Sequence, residues 1–315
     1  MKIDVHQHIW TEPLVEALAN RRELPFVRRE SGLTVLYLAG ERPYVIDLAC
    51  EDPVQRAALV ELDGLDRALV CLSSPLGIEW LPRREALELI DAYHEGALSL
   101  DEPFGVWGAI ALDRADPDDV DRALERGCVG LSLPAGALAD VEALASLRPV
   151  LARLESRGAP LLVHPGPRGV AHAPRAAAHT SFGDPLWWPA LTDYVAGMQQ
   201  AWLAFRVAGR ACHPRLRVVF SMLAGLAPLH AERLCSRGGP QPSLPDPLVF
   251  YETSSYGPAA VGMLEELVGP EQLLYGSDRP VVEPGELGMP GGLDWGPIVD
   301  CTRRALSPAR LEVAR

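Results

Sequence analysis

The chain of 315 residues has no excess of positive charge, no long apolar run, no closely spaced cysteine pair and no glycine-rich phosphate loop. Each absence removes a class of function. With 29 basic residues against 42 acidic ones, the net charge is −13. A nucleic-acid surface needs a basic patch to neutralise phosphates, so nucleic acid is not an expected partner. No apolar stretch reaches the length that spans a bilayer, so no membrane partner is expected either. The six cysteines, Cys50, Cys71, Cys128, Cys212, Cys235 and Cys301, are scattered without C-x-x-C spacing. Nothing suggests a disulfide framework, and a reducing cytoplasm is the expected location. Cys71 and Cys128 sit in apolar runs and read as core residues. A histidine motif begins at His6, so no signal peptide is expected ahead of it.

What is there is a globular composition, 48% hydrophobic and 23% charged, in a chain long enough for one large domain or two ordinary ones. Strand-like runs occur at Lys2–His6, Ala68–Leu72, Phe104–Leu112, Gly130–Leu133, Pro160–His164, Leu216–Met222, Leu248–Thr253 and Leu273–Ser277. Amphipathic, helix-like stretches separate them, among them Arg83–Ser99, Pro117–Arg126, Leu144–Arg157, Ala190–Ala211 and Ala259–Val268. The runs at Ala68–Leu72 and Pro160–His164 are almost continuously apolar, as strands covered on both faces are in a parallel sheet. Eight such strands alternating with helices predict an α/β fold, a (β/α)₈ TIM barrel formed as one domain over 1–315. A doubly wound sheet is the competitor, but no G-x-G-x-x-G follows any of these runs. Two stretches break the alternation. Residues Pro25–Asp47 predict a small β-hairpin insert after strand one, lying over the barrel mouth, with a turn at Ala39-Gly40-Glu41. The segment Pro165–Pro189 reads as a long loop after strand five, of the length that often carries function.

In a barrel the strand C-terminal ends meet at one mouth, where active sites are built. Strand one brings His6 and His8, two residues apart and so on the same face. Strand five ends at His164, and strand eight runs into Gly276-Ser277-Asp278-Arg279-Pro280. Each has an ordinary reading: a single histidine at a strand end is often structural, and an aspartate in such a turn often caps it. Their coincidence at the mouth-facing ends of three strands favours a metal site. His6, His8, His164 and Asp278 would offer one divalent ion, Zn²⁺ by choice, three or four ligands with a position left for water. Asp278 would also be the catalytic residue, accepting a proton from that water and passing it on.

The segments Asp4-Val5-His6-Gln7-His8, Val163-His164-Pro165-Gly166 and Tyr275-Gly276-Ser277-Asp278-Arg279-Pro280 resemble the amidohydrolase superfamily. Within it they are similar to the amidohydrolase 2 branch that includes aminocarboxymuconate-semialdehyde decarboxylase. The resemblance runs from Met1 to about Pro280, and the insert at Pro25–Asp47 is similar to that branch too. It implies a distorted barrel and one Zn²⁺ or similar ion on His6, His8, His164 and Asp278. It also implies a small-molecule substrate and a homodimer. One departure stands out: the resemblance calls for a further histidine after strand six, where this chain has Met222. A thioether neither shuttles protons nor suits a hard metal–water centre. Three explanations stay open: His172 or His179 on the long loop substitutes as base, the metal and Asp278 suffice, or the protein binds a ligand without turning it over.

Further candidates surround this centre. Trp187 and Trp188 could wall a substrate pocket or simply pack a loop onto the rim. Arg168 and Arg279 could grip a substrate carboxylate, although most such arginines are solvated or paired. Met222 would line the pocket. Glu252, near the end of strand seven, could hold a metal ligand or His164 by a hydrogen bond, or face outward. The first expectation for the reaction is hydrolysis of a C–N or C–O bond in a small polar substrate by metal-activated water. The alternative is non-oxidative decarboxylation of a small aromatic or unsaturated acid, and the third is metal binding without catalysis.

Overall fold

The computed structural model describes residues 1–39, 42–169, 187–282 and 294–306. Four short parallel-strand segments, β1 (Ile3–Gln7), β5 (Arg67–Val70), β6 (Phe104–Val106) and β7 (Leu131–Pro134), lead into β8 (Leu161–His164), β9 (Val218–Phe220), β10 (Val249–Glu252) and β11 (Leu273–Leu274). They form one parallel sheet in the order β1-β5-β6 and a second in the order β11-β10-β9-β8-β7. All eight expected strands are present, and sheet order follows sequence order. The two sheets also exchange main-chain hydrogen bonds at both of their edges. On one side the Val5 amide donates to the Tyr275 carbonyl at 2.9 Å and the Asp278 amide to the His6 carbonyl at 2.9 Å. On the other, the Val129 amide donates to the Val106 carbonyl at 2.9 Å and the Gly108 amide to the Gly130 carbonyl at 2.8 Å.

Burial explains why these runs are strands. Every residue of β5, β8 and β10 is buried, so the strands need apolar side chains on both faces. Ile3, Val5, Leu69, Cys71, Trp107, Leu162, Val219, Phe250 and Leu274 share one apolar cluster, while a larger one joins the opposite strand faces to the helices. At about 1.5–3 kcal/mol for each fully buried large side chain, these two clusters supply the main stabilising term.

The expected third strand, Phe104–Leu112, stops at Val106. At Gly108 the chain turns from β6 partners to a bridge with Leu131, and the Ala109 amide leaves the ladder for His94 Nε2 at 3.0 Å. A side chain at Gly108 would sit 2.8 Å from the Ala123 methyl, so helix Pro117–Glu125 approaches closely only because that residue is glycine. The helix Val141–Ser156 begins where Asp140 accepts the Ala143 amide, one turn earlier than the apolar pattern alone indicates. The expected helix Ala190–Ala211 is divided: Asp193–Ala204 is α-helical and Phe205–Gly209 is a π-helical turn.

Between β1 and β5 lies a separate antiparallel sheet of β2 (Phe26–Glu30), β3 (Leu33–Tyr37) and β4 (Tyr44–Ile46). The hairpin is thus a three-stranded meander; Gly40 and Glu41 of its second turn lie outside the described residues. No helix among the described residues is long and apolar enough to cross a membrane.

Candidate metal centre

His6, His8 and His164 converge at the strand ends. Their rings meet edge to face with centroids 4.8–5.1 Å apart, and all three are nearly inaccessible to solvent. The register of β1 against β5 shifts between Asp4 and Gln7, the stretch that carries His6. Asp4 anchors this irregular stretch. Its Oδ1 accepts the amides of His6 at 3.0 Å and Ser277 at 3.1 Å, tying the segment that bears the histidines to the one that bears Asp278. Burial raises the Asp4 carboxyl to about 6, outweighing its hydrogen bonds from Ser277 and Gln7.

Each imidazole Nδ1 faces an acceptor: Glu252 Oε2 for His6 at 3.0 Å, the Cys71 carbonyl for His8 at 2.9 Å, the Pro165 carbonyl for His164 at 2.6 Å. A proton held at Nδ1 leaves the lone pair at Nε2, the arrangement in which histidine binds metal. The Nε2 atoms point at a common region. His8 Nε2 is 3.2 Å from His164 Nε2 and 3.1 Å from Asp278 Oδ1, and His6 Nε2 is 3.4 Å from the same oxygen. A tetrahedral ion with bonds of about 2.0 Å needs donors about 3.3 Å apart, so these spacings fit one. His6 Nε2 is buried without a hydrogen-bond partner, which is costly unless a cation completes it. The residues fit a bound divalent ion.

The electrostatics agree. Burial disfavours a charged ring at His8, yet Cys71 and Asp278 beside it push its pKa up to about 10. Burial likewise opposes charge on His6, and Cys71, Asp278 and Glu252 overcome it. Burial together with these two rings drives His164 far down. Asp278 is raised by burial but held below the usual carboxylate range by His6 and His8. The cluster thus carries acidic partners that favour a positive charge at its centre.

Some of the remaining expectations are placed differently. Glu252 takes the first of its two expected places, facing the expected metal ligand His6 and not His164, and it also accepts from the Ser254 hydroxyl at 2.8 Å. Its carboxylate lies so close against Gly276 that a side chain there would collide with it. Arg279 is buried and paired with Asp63 at 2.7 Å, far from the role of a substrate clamp. Arg168 borders a cavity but is ion-paired with Asp140. Trp187 and Trp188 pack against each other, 56% and 45% exposed, and do not line that cavity. Met222 is buried after β9, and its amide faces Glu252 Oε2 at 3.4 Å. His172 and His179 lie outside the described residues. Sequence reasoning missed the roles of Asp4 and Cys71; Cys71 is buried as expected, but its sulfur is 3.6 Å from His8 Nδ1.

The cavity, of about 420 Å³, runs along the segment that follows His164. Leu24 just before the insert and Pro25 at its start, Leu76 and Trp80 after β5, Gly166 after β8 and Tyr194 wall it. The indole of Trp80 donates to the Pro167 carbonyl at 2.9 Å and so fixes one side. The walls are mostly apolar, as small-molecule sites are.

No family model matches the sequence, and no curated protein does. Solved structures do match. IDCase from Metarhizium anisopliae superposes with a TM-score of 0.72 at 16% identity, covering 100% of this chain and 97% of that one. The 5-carboxyvanillate decarboxylase of Novosphingobium aromaticivorans, complexed with manganese and 4-hydroxy-3-methoxy-5-nitrobenzoic acid, gives 0.64 at 14% identity, covering 100% and 92%. The 2,6-dihydroxybenzoate decarboxylase from Rhizobium gives 0.64 at 14% identity, covering 97% and 98%. The chain shares its fold with these proteins along essentially its whole length.

Proposed function

We propose that this chain is a metal-dependent enzyme of the amidohydrolase kind that removes CO₂ from a small aromatic or unsaturated carboxylic acid without oxidation. The observation that carries the reading is the convergence of three imidazole Nε2 atoms on the Asp278 carboxylate, each ring held by an acceptor at Nδ1. The hydrogen bonds across both sheet edges support a closed, distorted (β/α)₈ barrel with this cluster at its mouth. The sequence alone puts hydrolysis first. The shared fold with proteins named as decarboxylases favours the alternative over it.

His6, His8, His164 and Asp278 would hold the ion, Zn²⁺ or one like it. When bound, it supplies positive charge to the substrate carboxylate and a neighbouring oxygen. Asp278, the most exposed of the four, would take a proton from a water at its solvent side, the hydroxide leaving to solvent, and deliver it to the carbon that bears the carboxylate. The carbon–carbon bond then breaks, its electron pair remains on the protonated carbon's ring or chain, and CO₂ leaves. Hydrolysis is the second reading, favoured by one observation: Arg168, the arginine at the cavity, is held by Asp140 and not poised over the site.

The test is CO₂ release from a panel of aromatic and unsaturated acids, run beside matched amides and lactones. Metal-loaded protein should release CO₂ and leave the amides and lactones intact. Asp278→Asn should lower the rate by about 10²–10⁴-fold, the usual weight of a positioned proton carrier. Hydrolysis of the amides or lactones with no CO₂ would overturn the decarboxylase reading, and full activity in the variant would remove Asp278 from its role.

A further inference from the structure

A buried arginine reaches the metal centre from outside the parallel strands. Arg56 lies on the helix Pro53–Leu62, and only 1% of its side chain meets solvent. Its Nη1 donates to Glu51 Oε2 at 3.1 Å, and its Nη2 donates to Gln7 Oε1 at 2.9 Å and to the Arg279 carbonyl at 3.4 Å. Each of these three partners leads to a metal ligand. Gln7 stands between His6 and His8, and its amide nitrogen donates on to Asp4 at 2.8 Å. Glu51 accepts the amide of Trp10, two residues after His8, at 3.0 Å. The Arg279 carbonyl follows Asp278 and also accepts the His8 amide at 2.8 Å.

Asp278 needs such a hold. Its φ is +59°, a left-handed conformation that costs energy for a residue with a side chain and persists only where the surroundings fix it. The Asp278 amide bonds the His6 carbonyl at 2.9 Å, which secures one side. The Arg279 carbonyl, held by the His8 amide and Arg56, secures the other. The buried pair of Arg56 and Glu51 is in itself weak support for a fold, because apolar side chains of similar volume serve as well. An apolar side chain cannot, however, bond three acceptors at once from one planar fork. We propose that Arg56 is a positioning residue of the metal centre: through Gln7 and the Arg279 carbonyl it keeps Asp278 left-handed, with its carboxylate at Nε2 of His6 and His8. The inference rests on the metal-site reading above. Arg56 is not itself a ligand; it fixes the one ligand that also carries the proton.

Cobalt(II) titration of the full, metal-stripped chain tests this without any substrate. The parent protein should give visible d–d bands. Arg56→Met is made together with Glu51→Gln, so that no lone charge is left buried. This paired variant should keep the urea midpoint of the metal-free chain, change the shape of the bands and weaken cobalt affinity by about tenfold, as loss of a ligand's support does. Arg56→Lys alone, a point donor on a flexible stem, should recover only part of that loss. Asp278→Ala isolates the route: in that background the paired change should weaken cobalt binding by less than about twofold further. Gln7→Leu cuts the same link from the other side and should repeat the change of bands, so it decides the matter if the paired variant does not fold. Parent bands that reappear unchanged, with unchanged affinity, in the paired variant or in Gln7→Leu would overturn the Arg56 assignment and leave the histidine site standing. A tenfold loss that persists without Asp278 would overturn it too, since Arg56 would then act elsewhere. Absence of cobalt bands in the parent would overturn both the assignment and the metal site.

Discussion

At the ends of β1 and β8 the backbone is unstrained and the side chains are aimed by hydrogen bonds; at the end of β9 the backbone is strained and offers no metal donor. His6, His8 and His164 each have an acceptor at Nδ1. Met222, Leu223, Ala224, Gly225 and Leu226 instead form a left-handed turn with φ between 49° and 61°. Four of these five are not glycine, and at about 1–2 kcal/mol each the turn costs roughly 4–8 kcal/mol. Burial of Leu223, Ala224 and Ala227 and a hydrogen bond from Gln199 to the Gly225 carbonyl at 2.8 Å offset that cost. The turn aims the Met222 amide at Glu252, which holds His6. The comparison teaches that β9 serves the centre through a supporting carboxylate and not through a ligand. Strain of this kind is tolerated where the surroundings fix the conformation, and it clusters at functional sites.

The comparison can be broken most sharply at His164. His164→Ala should abolish stoichiometric metal retention, read by elemental analysis after gel filtration, because one of three nitrogen donors is lost. Retention of a full equivalent would mean that the strand ends do not hold the ion. On the other side of the comparison, Gly225→Ala puts a Cβ 2.7 Å from the Val195 carbonyl oxygen at a φ of +59°. It should cost about 2–4 kcal/mol in denaturant unfolding, with metal affinity per folded molecule unchanged. A cost near zero would show that the turn is not strained. Glu252→Gln joins the two regions: it keeps the shape but removes the charge that faces His6. Metal affinity should weaken about 10–100-fold, measured by chelator competition. Unchanged affinity would separate β10 from the centre.

The fold was legible because both faces of each parallel strand need apolar side chains, which leaves near-continuous runs such as Leu161-Leu162-Val163. The histidine motif was legible for a similarly local reason, since His6 and His8 are two residues apart. What could not be read are partners distant in sequence. Cys71 meets His8 across 63 residues, and Glu252, expected to hold a metal ligand, could not be matched to His6, 246 residues away. Those contacts exist only once the strands lie in order, so no spacing announces them. The split of Ala190–Ala211 and the early end of β6 were hidden for another reason. A π-helical turn and a ladder switch at Gly108 change hydrogen-bond partners without changing the apolar pattern.

The strained turn left the faintest trace of all. A run of left-handed residues normally asks for glycine or asparagine, and this one has only Gly225. Met222 was conspicuous as a non-ligand, but nothing in the sequence tied it to Glu252. The arginines were misleading in the opposite way. Arg279 stands beside Asp278 in sequence, yet its side chain turns to Asp63, which a sequence cannot reveal.

The most direct measurement is metal content and metal K-edge absorption on protein prepared without chelators. The account predicts one divalent ion per chain, with the multiple-scattering signature of three imidazole ligands. No stoichiometric ion, or an ion without imidazole scattering, would contradict it.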